Sequence, residues 1–290
     1  MEWYIYVHAR DDSRSSMTRT VCSSWICAVA ACFLFMHPGA VARAAAITYT
    51  PSPIEHMETA VTSHAPFADH LAKTIGRPVK IRYERKHADI IRLFRERQID
   101  LAQMGPLPYV KLREQFPQAV PLAIFKEADG RSSYNCALVS AFDGPKRVGE
   151  LRGSIALVQP LSTCGQLGID YILGRHGKGI GQFPHEYLGN QDNVALAVIR
   201  GEYAAGGIKS SIAAKYATLS LRIMEETPPF PGLVLVGNGA TLSREQLEAI
   251  RKALLELSPE SSKRFIAGRY GFAPVVDRDY QVIRDYLGAR

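Results

Sequence analysis

From residue 47 onward the sequence takes strand-like and helix-like runs in turn, and such alternation leaves few architectures besides α/β layers with a substantially parallel sheet. Ile47 to Tyr49 begins a short strand that stops at Pro51 and Pro53. Phe67, Leu71 and Ile75 follow at helical spacing, and Gly76 with Pro78 closes that helix. Val79 to Tyr83 alternates apolar and polar as a strand does. A helix then carries Ile90, Ile91 and Phe94, and Ile99 to Met104 reads as the next strand, ending at Gly105-Pro106. A proline-initiated helix from about Pro108, strands at Leu122 to Phe125, Asn135 to Ala141 and Gly153 to Val158, and a helix capped by Asn190 and stopped by Gly201 extend the pattern. Ser243 and Gln246 have capping-box spacing ahead of Leu247, Ile250, Leu254 and Leu257. The stretch "TPPFPG" (Thr227 to Gly232) is the one strongly punctuated connection, and it suggests a rigid crossing between two bodies.

Three of the helix starts follow strands with polar or glycine residues at the junction: Gly105 to Tyr109, Ser162 to Gly165, and Gly189 to Asn193. In α/β sheets ligands bind beyond the carboxyl ends of the strands, where helix N-termini present unpaired N–H groups and a positive dipole end. Such ends suit an oxyanion. Ser, Thr and Asn are also ordinary N-cap residues, so each junction taken alone has a purely structural explanation.

At 290 residues and 47% hydrophobic, the chain can bury a sizeable core and accommodate two domains or lobes. The formal charge of +7 comes from basic residues interleaved with acids, without a Lys/Arg run or a zinc spacing, which argues against nucleic acid as a partner. Residues 1–46 read as an export signal: Arg10, Arg14 and Arg19 precede an apolar run from Val21 to Met36, and "VARAAA" (Val41 to Ala46) offers small residues for cleavage. The run is shorter than the ~20 residues that span a bilayer as a helix. Met17 would by itself open an ordinary signal, and a lipid anchor at Cys32 is disfavoured because the apolar stretch continues past it. Export places the protein in the periplasm. Removal of the signal leaves Cys136 and Cys164, which an oxidising compartment favours pairing as a disulfide, although two free thiols remain the alternative.

The stretch "FADHLAKTIGRPVKIRYERKHADIIRLFRERQIDLAQMGPLPYV" resembles the first half of the periplasmic solute-binding proteins of phosphonate and phosphite ABC transporters. "LRGSIALVQPLSTCG", "ALAVIRGEYAAGG" and "PPFPG" are similar to that family's later motifs, in the same order. The resemblance covers essentially the whole chain after the signal. It implies an α/β clamshell of type II, with two lobes joined by hinge strands and a ligand cleft between them. Lobe one would comprise 47–137 and 229–290, and lobe two 138–228. The protein would capture a small oxyanion, phosphonate-like or phosphite-like, and deliver it to an ABC permease without acting as an enzyme.

The family's Ser-Thr-Ser anion cradle carries over onto Ser162 and Thr163 and meets Cys164 at the third place. A family histidine falls at Gln191, next to Asn190, and an acidic position falls at Lys209. Tyr49 or Ser52 on the first turn, and Gly105 with Tyr109 on the second, would be the lobe-one contacts. Lys209 facing the cleft would reject an amino-bearing phosphonate; as a solvated surface lysine it would do nothing.

Thiolate is a soft ligand where serine oxygen is hard, so Cys164, with Cys136 on a strand near the hinge, could instead hold arsenite. That alternative makes the protein an arsenite-binding sensor that signals to a membrane histidine kinase, as in one branch of the family's relatives. Against it, a free buried cysteine often serves as a small apolar residue. A nucleophilic Cys164 would need a base such as His176 or His185 to approach in space. Zinc held by His56, His64 and His70 is disfavoured because helical ligand pairs prefer separations of three or four residues.

Overall fold

The computed structural model describes residues 45–288, so the expected export signal, with Met17 and Cys32, falls outside the described residues apart from Ala45 and Ala46. The strand–helix alternation is realised almost element for element. β1 (Ile47–Thr50) leads to α1 (Met57–Ile75), which runs through Pro66 and ends at Gly76 in the left-handed conformation. β2 (Val79–Ile81), α2 (His87–Arg95), β3 (Leu101–Met104), α3 (Pro106–Gln115) and β4 (Ala119–Phe125) complete the first run. β5 (Ser133–Tyr134), β6 (Cys136–Ala141), β7 (Ile155–Leu157), α4 (Gly168–Gly174), β8 (His185–Tyr187), α5 (Gln191–Ile199), β9 (Ala205–Lys209), α6 (Ser210–Lys215) and β10 (Leu221–Glu226) form the second. The chain then returns through β11 (Phe230–Pro231), β12 (Val234–Asn238), α7 (Arg244–Leu255), α8 (Pro259–Ser262), β13 (Phe272–Ala273) and α9 (Gln281–Gly288). The capping box at the start of α7 is formed by Ser243 and Gln246, each bonding the other's backbone N–H.

These strands build two sheets. The six-stranded sheet has the order β13-β4-β12-β3-β1-β2 and the five-stranded sheet the order β10-β6-β9-β7-β8. Both are mixed, which corrects the expectation of a substantially parallel sheet. β1 pairs in parallel with β2 and β3, whereas β12 inserts antiparallel between β3 and β4. In the second sheet β7 pairs in parallel with β8 and β9, while β6 runs antiparallel to β9 and β10. The antiparallel strands are those nearest the points where the chain changes sheet. It does so twice, over residues 126–135 and 227–233, and there β5 and β11 pair with each other as a two-stranded ribbon. The proline-rich stretch therefore lies in one of two adjacent crossings.

Each sheet has its own core. Against the six-stranded sheet, Phe67 of α1 sits among Tyr49, Phe125, Phe265 and Phe272, with ring centroids 5.5 to 5.9 Å away. Against one face of the five-stranded sheet pack Ala137, Val139, Ala156, Val158, Val194, Ala195 and Val198, and against the other Leu138, Leu151, Ile155, Leu157, Ile169, Ile172 and Leu173.

Candidate functional site

Where β7 ends, the backbone turns sharply. Leu161 adopts φ 63°, a left-handed conformation costly for a branched-side-chain residue of its size, and its N–H donates to Gln166 Oε1 at 2.7 Å. Ser162 follows as the N-cap, its Oγ accepting from Gly165 N–H at 3.0 Å. Thr163–Leu167 is wound as a π-helical turn, with Leu167 N–H reaching back to Ser162 O. A side chain at Gly165 would stand 2.7 Å from the backbone N of Val158, so glycine is what lets this turn lie on its strand. The first N–H groups of the turn, those of Thr163 and Cys164, have no intrahelical acceptor and are the ones a helix start offers to an anion.

This turn forms one wall of a cleft of about 430 Å³, part of it open to solvent, that also draws Ser52, Ile54, His87, Gly105, Pro108, Tyr134, Gln191, Lys209 and Leu233. The walls come from both sheets and from a crossing strand. Ser52 stands just after β1 with its N–H on Gln103 Oε1, and its Oγ is buried with no hydrogen-bond partner among the described residues. Such an orphaned hydroxyl facing a cleft is a natural ligand contact. His87 opens α2 and is nearly fully buried; burial lowers its pKa from 6.5 to about 4, so the imidazole is neutral at physiological pH. Burial likewise pushes the Tyr134 hydroxyl well above the ordinary tyrosine range, against a hydrogen bond to Thr163.

The chain itself ties the walls together. Leu107 N–H, in the first turn of α3, donates to Thr163 Oγ1 at 3.1 Å. Gly105 permits this approach, since a Cβ there would sit 3.0 Å from the same oxygen. Gln159 Nε2 donates to Pro53 O at 2.9 Å, joining the end of β7 to the turn after β1. Lys209 is not a surface lysine. Its ammonium donates to Glu127 Oε2 at 2.6 Å and lies 4.7 Å from the centre of the Tyr134 ring, with 17% of each ionic side chain exposed.

Of the residues singled out in the sequence, Ser52, Gly105, Ser162, Thr163, Cys164 and Gln191 line the cleft. Tyr49, Tyr109, Cys136 and Asn190 do not. Tyr49 points to the opposite side of its strand, where its hydroxyl meets His64 Nδ1 at 2.7 Å inside the aromatic core. Tyr109 lies one helical step past the cleft-lining Pro108, about 100° around α3, and is turned toward the 3-10 turn Asp277–Tyr280 that precedes α9. Its hydroxyl donates to Asp277 Oδ1 at 2.7 Å and its ring packs on Tyr280. Asn190 caps α5 through its Oδ1, and its amide faces His56. Gln191 Oε1 accepts from Lys209 N–H at 2.7 Å, which fixes the orientation of its side chain at the cleft.

Cys136 and Cys164 are joined in a disulfide that ties the π-helical turn to the first residue of β6. This removes both thiols on which an arsenite site or a cysteine nucleophile depended. His176 and His185 lie at the surface, on Glu225 and Phe183 O, away from any such role. His56, His64 and His70 face three different partners, Asn190, Tyr49 and Arg264. The sequence reading missed His87, Tyr134 and Glu127. His87 sits at a strand-to-helix junction of the same kind as the three noted above, a signal that could have found it. Nothing in the sequence placed Glu127 opposite Lys209, 82 positions away.

No helix among the described residues is long and apolar enough to cross a membrane. In structure the chain is similar to PhnD1 from Prochlorococcus marinus in complex with methylphosphonate, at 18% identity and a TM-score of 0.72, covering 84% of this chain and 97% of that one. A binding protein component of an ABC phosphonate transporter from Pseudomonas aeruginosa matches at 18% identity and a TM-score of 0.71, covering 83% and 85%. The periplasmic aliphatic sulphonate binding protein SsuA from Escherichia coli is more distant, at 17% identity and a TM-score of 0.54, covering 84% and 83%. These likenesses establish the two-lobed α/β fold of periplasmic binding proteins. Residues 49–280 match the family model described as ABC transporter, phosphonate, periplasmic substrate-binding protein, and the chain belongs to that family.

Proposed function

We propose that the protein captures a small tetrahedral oxyanion, phosphonate-like or phosphite-like, in the cleft between its two sheets and hands it to an ABC permease. In this reading residues 47–137 with 229–290 move as one lobe and 138–228 as the other, about the paired crossings β5 and β11. The observation that carries it is the buried, unpartnered Ser52 Oγ in a cleft where the helix starts at Gly105 and Ser162 converge. Ser52, the Ser162 hydroxyl, the N–H groups of Thr163 and Cys164, and the neutral His87 are the groups that would take the oxygens. The family and the methylphosphonate complex of a structural relative support the ligand class. Membership in a substrate-binding family also favours a receptor over an enzyme, and the disulfide leaves the sensor alternative without its thiols.

Calorimetric titration with methylphosphonate and with phosphite tests the proposal. Binding of either, weakened about tenfold or more in Ser52→Ala and in Ser162→Ala, is the expected result, since each change removes a hydrogen bond to a charged group. The absence of binding for both oxyanions would overturn it.

A further inference from the structure

Lys209 alone carries a formal charge among the residues that line the cleft, and that charge is already answered by Glu127 at 2.6 Å. Glu127 reaches it from the crossing that follows β4, whereas Lys209 ends β9 of the other sheet, so the pair spans the two. The groups packed around Lys209 supply no further charge. Tyr134 of β5 lies beneath the ammonium with its hydroxyl protonated, Gln191 of α5 holds the Lys209 N–H, and Cys136, opposite on β6, is in the disulfide. His87 of α2, in the same cleft, is neutral. Hydroxyls and helix-start N–H groups therefore supply the remaining attraction for an anion. Such groups stabilise one negative charge well, but a second charge brought out of water would find no cation free to meet it and would be repelled by Glu127.

We infer, on the receptor reading above, that Glu127 sets the charge of the ligand: the cleft takes a tetrahedral oxyanion bearing one negative charge in preference to the same oxyanion bearing two. Lys209 held on Glu127 serves as a wall and a hydrogen-bond donor, not as a free counter-ion. The ligand class so defined comprises singly ionised phosphonates, singly ionised phosphite and sulfonates.

The test uses methylphosphonate, singly charged at about pH 6 and doubly charged at about pH 9, with methanesulfonate as a ligand whose charge does not change. For the unaltered protein, methylphosphonate affinity should fall about tenfold or more from the lower to the higher pH while methanesulfonate affinity holds. Glu127→Gln frees the Lys209 charge and should flatten or reverse the methylphosphonate trend. Adding Lys209→Met to Glu127→Gln restores a neutral wall and should bring the original preference back, which also shows that the single change acts through charge and not through loss of structure. Equal affinity for both charge forms, or a preference untouched by Glu127→Gln, would overturn the inference while leaving the receptor intact. Failure of every ligand at both pH values would overturn the receptor reading itself and the inference with it.

Discussion

The two sheets are held in different ways. The six-stranded one rests on a few large rings gathered around Phe67, so its stability comes from buried area. The five-stranded one is packed with aliphatic side chains, alanine and valine on one face and leucine and isoleucine on the other, and its glycines lie close to their neighbours: a Cβ on Gly206 would meet Val194 at 2.7 Å, and one on Gly168 would meet Cys136 at 2.6 Å. It also carries the only disulfide among the described residues, which fixes the π-helical turn to β6. The half that contributes the π-helical turn of the cleft is thus braced by close packing and a covalent bond, which hold that turn's backbone N–H groups in place. The two halves differ in where their histidines lie as well. Among the described residues the two buried histidines, His64 and His87, belong to segments packed around the six-stranded sheet, while His176 and His185 of the other lie at the surface.

Three measurements put this contrast at risk. Phe67→Ala should cost about 3–5 kcal/mol in chemical denaturation, because four rings lose their common neighbour. A cost under about 1 kcal/mol would mean that the aromatic cluster is not what holds that half. Replacing Cys136 and Cys164 together by alanine should cost about 2–4 kcal/mol and also weaken oxyanion binding, whereas Phe67→Ala at a temperature where it remains folded should leave affinity nearly unchanged. Affinity that ignores the disulfide would detach the brace from the site.

The smallest effect per residue is the pH dependence. His64 and His87 titrate near 4 when folded and near 6.5 when unfolded, so acid protonates the unfolded chain first. Stability present above about pH 6.5 is lost as the pH falls toward 4, by about 2 kcal/mol per imidazole at pH 5. Glutamine at either position should remove that imidazole's share of the loss. A denaturation midpoint that is flat between pH 7 and pH 5 would contradict the burial of both rings.

Much of this architecture could be read along the chain because it is locally encoded. The capping box of Ser243 and Gln246, the cap at Asn190 and the helix stop at Gly76 each depend on residues within a few positions, and all three form. Ser162 is legible for the same reason: it stands between an apolar strand and an apolar helix. What eluded the sequence depends on distant neighbours. The insertion of β12 between β3 and β4 brings together segments more than a hundred positions apart, and no local pattern records it. Tyr49, as an alternative to Ser52, and Tyr109 were expected at the cleft because the family resemblance places its lobe-one contacts on those two turns. Which way each points is decided by His64 and Asp277, found elsewhere in the chain. The cysteine pairing stayed open for the same reason, since 28 positions of separation say nothing about distance.

The hydrogen bond from Leu107 N–H to Thr163 Oγ1 bears on how quickly the cleft can fill. It joins the start of α3 to the π-helical turn, and the Gln159–Pro53 and Lys209–Glu127 contacts fasten the same two sides. Parting the two sides of the cleft requires all three of these contacts to let go, so we expect filling of the cleft to be limited by that opening. Its observed association rate should then rise with concentration only to a plateau, set by the protein's own opening rate. Thr163→Val, which keeps the side chain's shape but removes the acceptor, should lift that plateau.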